Sequence, residues 1–333
     1  MPRALRRVAG VAAGLVVAVA LALVAFRLAA AFRESKSRTA GAPPGGRFLR
    51  AGDVEIYVQE EGPADGTPVL LVHGTGAWSE IWRETMRAAA AAGYRCIALD
   101  MPPFGFSERP ARADYGDEAQ ARRILGVLDA LGIASAVLVG HSFGGRPTVE
   151  ATFLAPERVR ALVLVDAALD VHGAGSGDGT PPWLTAILGA APLRDALVAA
   201  TVTNPLLTKR LLLLLIATPS AASDERLAMF RRPLVVVGST PAVGGWLEPF
   251  VTRRERSRST EVARYGGLAM PTLVLWGARD DLTPPAQGRR IAGLIPGAEL
   301  AVLPTAGHIP AIEDPARFNA ALVDFLRRRV PAR

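Results

Sequence analysis

The sequence predicts an α/β domain built on a mostly parallel sheet covered by helices on both faces, with an inserted helical lid and an N-terminal transmembrane helix in front. Three observations predict it. Short apolar runs alternate with helical stretches along most of the 333 residues, the mark of parallel strands joined by crossover helices. About a hundred residues between Asp166 and Met270 break that rhythm, far more than a normal connection of about two to six residues plus one helix. Nineteen residues, Val8 to Phe26, carry no charge and at helical rise are long enough to cross about 30 Å of hydrocarbon.

In chain order, residues 1–33 form the apolar segment, led by Arg3, Arg6 and Arg7. It is expected to be an uncleaved single-pass anchor. The alternative is a signal peptide cut near Ala29-Ala30-Ala31, giving a secreted protein, although such peptides have apolar regions of about 7 to 15 residues. Basic residues on both sides (Arg27, Arg33, Lys36 and Arg38 follow the span) leave its orientation open. Residues 34–46, rich in Ser, Pro and Gly, read as a flexible linker. The core then occupies 47–166 and 271–333, with the lid at 167–270 between them.

Within the core, Val54, Ile56 and Val58 alternate with Glu55, Tyr57 and Gln59, as in a half-buried strand. Fuller apolar runs at 69–72, 96–99, 136–139, 162–165, 273–276 and 300–303 are the central strands. Asp117–Leu131 reads as helix, and Ala316–Arg328 places Phe318, Leu322, Phe325 and Leu326 on one face. In the lid, Leu206–Ala217 reads as an apolar helical stretch interrupted by Lys209 and Arg210. Its Leu211–Ile216 run suits lid core, a pocket wall or a membrane-facing surface, being too short to span. Leu234–Val237 could be a further strand, which would shrink the lid.

Composition removes several classes of function. The net charge of +7 is concentrated in residues 1–50, which hold nine Arg or Lys against one acidic residue, Glu34, so the rest is near neutral and no nucleic-acid partner is expected. The basic runs Arg253–Arg258 and Arg327–Arg329 read as a solvated helix face and a frayed helix end, with anionic lipid the alternative contact. The single cysteine, Cys96, lies in an apolar strand and reads as space-filling. No Cys/His cluster suggests zinc, there is no Walker-type loop, and neither metal nor cofactor is expected.

The chemistry-bearing motif is Gly140-His141-Ser142-Phe143-Gly144, set between an apolar run and a helical segment. Such a Gly-x-Ser-x-Gly elbow holds its serine on a strained turn with the hydroxyl exposed, and its glycines must lack bulk for the turn to close. Ser142 is therefore the candidate nucleophile. It needs a base, and the base needs an acid to fix its tautomer. There are four histidines. His141 adjoins Ser142 and should point elsewhere; His73 is expected to shape its loop; His172 lies in a Gly-rich irregular stretch. His308, in the loop after the last apolar run, is the expected base. Asp280, after the strand Leu273–Gly277, is the favoured acid, with Asp166 the main rival and Asp281 the lesser one.

Taken together these blocks resemble the α/β-hydrolase superfamily from about residue 47 to 330. The likeness rests on Gly140–Gly145, on His73-Gly74-Thr75-Gly76 with Trp82, on Asp100-Met-Pro-Pro-Phe-Gly-Phe-Ser107, on Gly277-Ala-Arg-Asp280-Asp-Leu-Thr-Pro284 and on Gly307-His308. Pro103 departs from the glycine many members carry there. The resemblance selects Asp280 again, and it implies an oxyanion hole from the backbone N–H groups of Thr75 and Phe143. A dinucleotide loop at Gly74–Gly76 is disfavoured because position 79 is serine.

What the resemblance implies is a serine hydrolase acting on a carboxylic ester, carboxylesterase- or lipase-like, with a small-molecule or lipid-like substrate and the membrane as partner. Relatives that cleave carbon–carbon bonds often carry Trp after the histidine and Asn before the serine, where this chain has Ile309 and His141. Cofactor-free haloperoxidase or perhydrolase activity uses the same triad. Epoxide hydrolases and haloalkane dehalogenases place Asp where Ser142 stands. A non-catalytic membrane receptor or scaffold is the alternative outside enzymology.

Overall fold

The computed structural model describes residues 3–110, 114–169, 180–252 and 257–332. Eight strands form one sheet in the order β1-β2-β4-β3-β5-β6-β7-β8. They are β1 Gly46–Ala51, β2 Val54–Glu61, β3 Thr67–Val72, β4 Tyr94–Leu99, β5 Ala136–His141, β6 Val159–Val165, β7 Thr272–Gly277 and β8 Glu299–Leu303. β1 pairs antiparallel with β2, and β2 with β4, while every pair from β4 to β8 is parallel.

Helices cover both faces: α3 Arg83–Ala91 and α13 Pro315–Arg329 on one, α4 Asp117–Ala130, α5 Gly145–Leu154 and α11 Pro285–Leu294 on the other. Successive strand residues point to opposite faces, so both halves of each apolar run are buried. Leu71, Val139, Val163 and Leu275 pack with Met86, Phe318, Leu322 and Phe325. Leu70 and Leu138 meet Ile124 and Val127 of α4, and Leu164 and Trp276 meet Ile291 of α11. Cys96 is buried in β4, where burial pushes its thiol up to about 12.

The sequence reading missed β1, whose Arg47 and Arg50 hide its alternation. Its register with β2 runs Gly46↔Gln59 to Ala51↔Val54 across the tight turn at Gly52 and Asp53. The Leu234–Val237 strand is a correction. Arg232–Val235 is a 3-10 turn, and only Val236 makes a bridge, to Lys36.

That bridge bears on a second correction. Residues 34–46, expected as a flexible linker, are held on the domain. Glu34 is buried and accepts from the Thr240 N–H at 3.0 Å and from the Thr240 hydroxyl. The Lys36 N–H donates to Val235 O at 3.0 Å and the Val237 N–H to Lys36 O at 2.9 Å. A short helix, α2 Arg38–Gly41, follows, capped by the Ser37 hydroxyl. In front lies α1, Arg3–Arg33, whose window from Arg7 to Arg33 is long and apolar enough to cross a membrane.

The segment between β6 and β7 is helical where described. It comprises α6 Pro182–Gly189, α7 Ala191–Ala200, α8 Thr208–Leu213, α9 Asp224–Arg231 and α10 Ser239–Thr252. The expected helix Leu206–Ala217 is shorter than its apolar pattern suggested. After Leu213 the chain leaves the helix because its backbone finds tertiary partners: Leu215 O accepts from the His308 N–H at 3.0 Å, and Glu313 accepts from the Ala217 N–H at 2.7 Å. His172, in the Gly-rich stretch, and Arg253 to Arg256 of the first basic run lie outside the described residues. Of that run, Arg258 pairs with Glu150 and Glu118 at 2.8 and 3.2 Å, and Arg328 and Arg329 of the second run pair with Glu299 at 2.7 Å each.

Candidate active site

Every residue of the candidate site stands at or just beyond the C-terminal end of a strand, where parallel sheets place their ligand crevice. β5 ends at His141, and the next residue, Ser142, has φ of 50° before the chain turns through a 3-10 turn into α5. A non-glycine residue in that region is strained and is held there by its surroundings. The turn is closed tightly: a Cβ at Gly144 would lie 2.5 Å from His73 O.

The Ser142 hydroxyl lies 2.7 Å from His308 Nε2, and His308 Nδ1 lies 2.8 Å from Asp280 Oδ2. All three are buried. Asp280 accepts on its other oxygen from the N–H groups of Leu282 and Thr283 at 2.8 and 2.9 Å, and the Thr283 hydroxyl donates to Oδ2. Burial alone would raise the Asp280 carboxyl, but the bonds from His308 and Thr283 outweigh it and leave the group below its ordinary value. It therefore stands ionised beside the imidazole, which fixes the proton on Nδ1 and leaves Nε2 free to accept from Ser142.

Of the rival acids, Asp281 is exposed. Asp166 is buried at the end of β6 with φ of 41°, and its Oδ1 accepts from the Gly277 N–H at 2.9 Å. Oxygens of Asp166 and Asp280 and a ring nitrogen of His308 lie within 4.8 Å of one another. Burial, then the charge of Asp280, raises the Asp166 carboxyl well above its ordinary value. Two carboxylates this close and dry do not both ionise, so Asp280 keeps the charge and Asp166 keeps a proton.

Thr75 and Phe143, the expected oxyanion-hole residues, lie on the two loops that meet at Ser142. A Cβ at Gly74 would fall 2.9 Å from Ser142 Cβ, so only glycine lets the chain bring Thr75 so near. Phe143 is the second residue of the 3-10 turn Ser142–Gly144 that leads into α5, and the first N–H groups of a helix lack helical acceptors. His73 accepts at Nε2 from the Met101 N–H at 2.9 Å and donates from Nδ1 to Gly74 O at 2.7 Å, tying two loops together. His141 points away from the Ser142 hydroxyl and donates from Nε2 to His308 O at 2.7 Å. Burial lowers both, His73 to about 4 and His141 to about 3, so both are neutral. The loop after Asp100 closes through a cis Pro102–Pro103 peptide, with Asp100 accepting from the Ser79 and Phe106 N–H groups at 2.7 and 2.6 Å.

Two contributors escaped the sequence reading. Glu313 accepts from four backbone N–H groups at 2.7 to 3.0 Å: Ala217 and Thr218 of the insertion, Gly307 and Ile309 on either side of His308. It locks the His308 loop to the insertion, and its place five residues after His308, at the end of a short helix (α12, Pro310–Glu313), was the available signal. The second is an aromatic cluster joining the two parts, with Phe143 at 5.2 Å from Trp246 and 6.1 Å from Phe104 between ring centres. Beside Thr75 opens an apolar cavity of about 280 Å³, walled by Leu211, Leu212, Leu214, Leu215 and Phe230 of the insertion.

A family model described as alpha/beta hydrolase fold matches residues 67–315. The chain is 31% identical over 291 residues to 2-hydroxymuconate semialdehyde hydrolase of Pseudomonas sp. (strain CF600), covering 85% of this chain and 94% of that one. It is 32% identical over 273 residues to Lipase 1 of Psychrobacter immobilis, covering 80% and 78%. Among solved structures, a membrane phospholipase A described as a bacterial virulence factor superposes with a TM-score of 0.67 at 24% identity, covering 98% of this chain and 97% of that one. That last likeness is one of fold, and its coverage takes in the N-terminal helix.

Proposed function

The chain belongs to the α/β-hydrolase fold family, and on that premise we propose that it is a membrane-anchored serine hydrolase of carboxylic esters. The single observation that carries the reading is the unbroken hydrogen-bond chain Ser142–His308–Asp280, at 2.7 and 2.8 Å, with the serine held at positive φ. In this reading Ser142 Oγ attacks the ester carbonyl while His308 Nε2 takes its proton. Asp280 steadies the imidazolium that forms. The N–H groups of Thr75 and Phe143 receive the charge on the carbonyl oxygen, a role worth about 100- to 1000-fold in rate per donor. The proton returns to the departing alcohol, and water activated by the same histidine releases the acid.

The apolar cavity beside Thr75 suits a hydrocarbon chain, and the helical insertion serves as lid. The anchor reading is supported by Ala30, which is buried where α1 packs against α7, inside the Ala29–Ala31 stretch that a signal peptidase would cut.

A second reading, hydrolysis of a carbon–carbon bond next to a ketone, is supported by the 31% identical semialdehyde hydrolase. His141 and Ile309 weigh against it. Purified protein assayed with p-nitrophenyl esters of graded acyl length and with a vinylogous 1,5-diketone decides between them. The ester reading expects kcat/KM at least about 100-fold higher on the best ester, a gap of a few kcal/mol in transition-state binding. The reverse order establishes the second reading.

A further inference from the structure

α1 has two unlike parts. From Val8 to Ala22 every residue is exposed, whereas Leu23, Arg27, Ala30 and Arg33, spaced at helical intervals, lose exposure in the part of the chain where α1 packs on α7 and Arg33 donates to Leu234 O. The uncharged span ends at Phe26, about 28 Å of helix from its start. If that span fills a bilayer, α7 lies beside the turns of α1 that leave the hydrocarbon. α6 and α7 together are apolar enough to count as one span but turn through 92° between them. A pair bent this sharply suits a surface rather than a crossing.

The insertion carries the apolar side chains to match. Leu206 is 81% exposed, Leu214 73% and Trp183 64%, with Leu193, Val202 and Leu213 exposed as well. An apolar surface of this kind calls for a partner. Lys209 and Arg210 are exposed among them, the arrangement expected of a surface that meets anionic headgroups. Val202 and Leu214 both line the cavity beside Thr75, so exposed residues of this patch form part of its wall. Covalent continuity with α1, the packing of α1 on α7 and the flanking cations point to one occupant, the bilayer in which α1 sits.

We infer that the insertion rests on that bilayer through α6, α7 and α8, and that the cavity takes its acyl chain directly from the lipid phase. The substrate class is then an ester of a long-chain amphiphile, an inference that rests on the membrane-anchored ester reading above. The arrangement also reaches the chemistry. The chain just beyond α8 supplies Leu215 O to the His308 N–H and two N–H groups to Glu313, so a surface that orders α8 steadies the loop carrying the base.

The test uses full-length protein in phosphatidylcholine vesicles containing phosphatidylglycerol. Because Cys96 is buried, a Leu206→Cys variant carries a single environment-sensitive fluorophore, and Arg290→Cys on α11 serves as control. Co-flotation with vesicles checks α1 alone; a protein that does not float overturns the anchor and this inference together. In floated protein, doxyl-labelled lipid is expected to quench the Leu206 probe strongly and the Arg290 probe little. Equal quenching at both overturns the resting face, whatever the protein hydrolyses. A Leu206→Glu/Leu213→Glu variant, altered at two exposed residues outside the cavity wall, should keep its rate on a soluble butyrate ester and lose at least roughly tenfold on a vesicle-borne long-chain ester, because two apolar contacts with the bilayer are removed. Equal rates for variant and parent on the vesicle-borne ester overturn entry from the lipid phase.

Discussion

The C-terminal edge of the sheet and the helical insertion above it meet at one cavity but are built by different rules. At the sheet edge the polar groups are buried and closely tied: Asp280 has bonds on both oxygens, His73 joins two neighbouring loops through both ring nitrogens, and His141 donates to His308 O while its Nδ1 is left without a partner. The insertion is joined to the core through Glu313, the His308–Leu215 backbone bond, an aromatic cluster and the apolar packing of Leu212, Ile216 and Leu227, yet it leaves large apolar side chains in the open. Buried polar networks specify one geometry and are costly to disturb. Exposed apolar helices specify a preference for what they touch. On the proposed ester-hydrolase reading, rate is expected to be set at the sheet edge and selectivity above it.

If rate lives at the sheet edge, the largest effect falls on Ser142. Ser142→Ala is expected to cut kcat on the best ester by about a millionfold, the scale seen when a serine nucleophile is removed. The thermal melting curve should hardly move. Near-normal hydrolysis by this variant would end the nucleophile assignment.

Next comes the acid. Asp280→Asn should cost about 10,000-fold in kcat, because the neutral amide favours the wrong imidazole tautomer. Asp281→Asn should stay within about twofold, as surface substitutions do. A large loss at Asp166→Asn with a small one at Asp280→Asn would move the acid to the earlier strand.

Glu313→Gln probes the join between the two regions. It turns an acceptor for four N–H groups into a group that presents its own N–H to some of them, leaving donors unmet at about 1–3 kcal/mol each. Melting temperature and kcat should fall together, and limited proteolysis should cut the insertion sooner. Unchanged kcat would show that the insertion does not steady the His308 loop.

Smaller effects follow from protons. His73 and His141 are held neutral, lowered by burial from 6.5 to about 4 and about 3. Below pH 6.5 the unfolded chain binds protons that the folded chain refuses, so stability falls as pH drops from about 6.5 toward 4. Melting temperatures measured across that range should show the slope. Asp166 acts oppositely. Its carboxyl is raised, so the stability it contributes is full below its unfolded value and is lost as pH rises toward its folded value. Asp166→Asn removes that loss, and its melting temperature should gain on the parent as pH rises above the ordinary carboxylate range. A gap that shrinks with rising pH would mean Asp166 is ionised in the fold.

How far each region was legible in the sequence follows the same division. Periodicity gave the central strands, α4 and α13, and residue chemistry pointed to Ser142, His308 and Asp280, which the fold brings into hydrogen-bond contact, because a buried strand or an elbow leaves a local mark. β1 was missed because its arginines break the alternation. Glu313 and the docking of Glu34 were missed because their partners lie at Ala217 and Thr240, 96 and 206 residues away. The end of α8 was misjudged because tertiary acceptors, not propensity, stop it there.

The most direct test of the central claim is stoichiometric labelling with a fluorophosphonate, read by peptide mass mapping of the full-length protein. One adduct per chain is expected on the peptide bearing Ser142, lost in His308→Ala as well as in Ser142→Ala. An ester-hydrolysing protein that stays unlabelled, or carries its label on another residue, would contradict it.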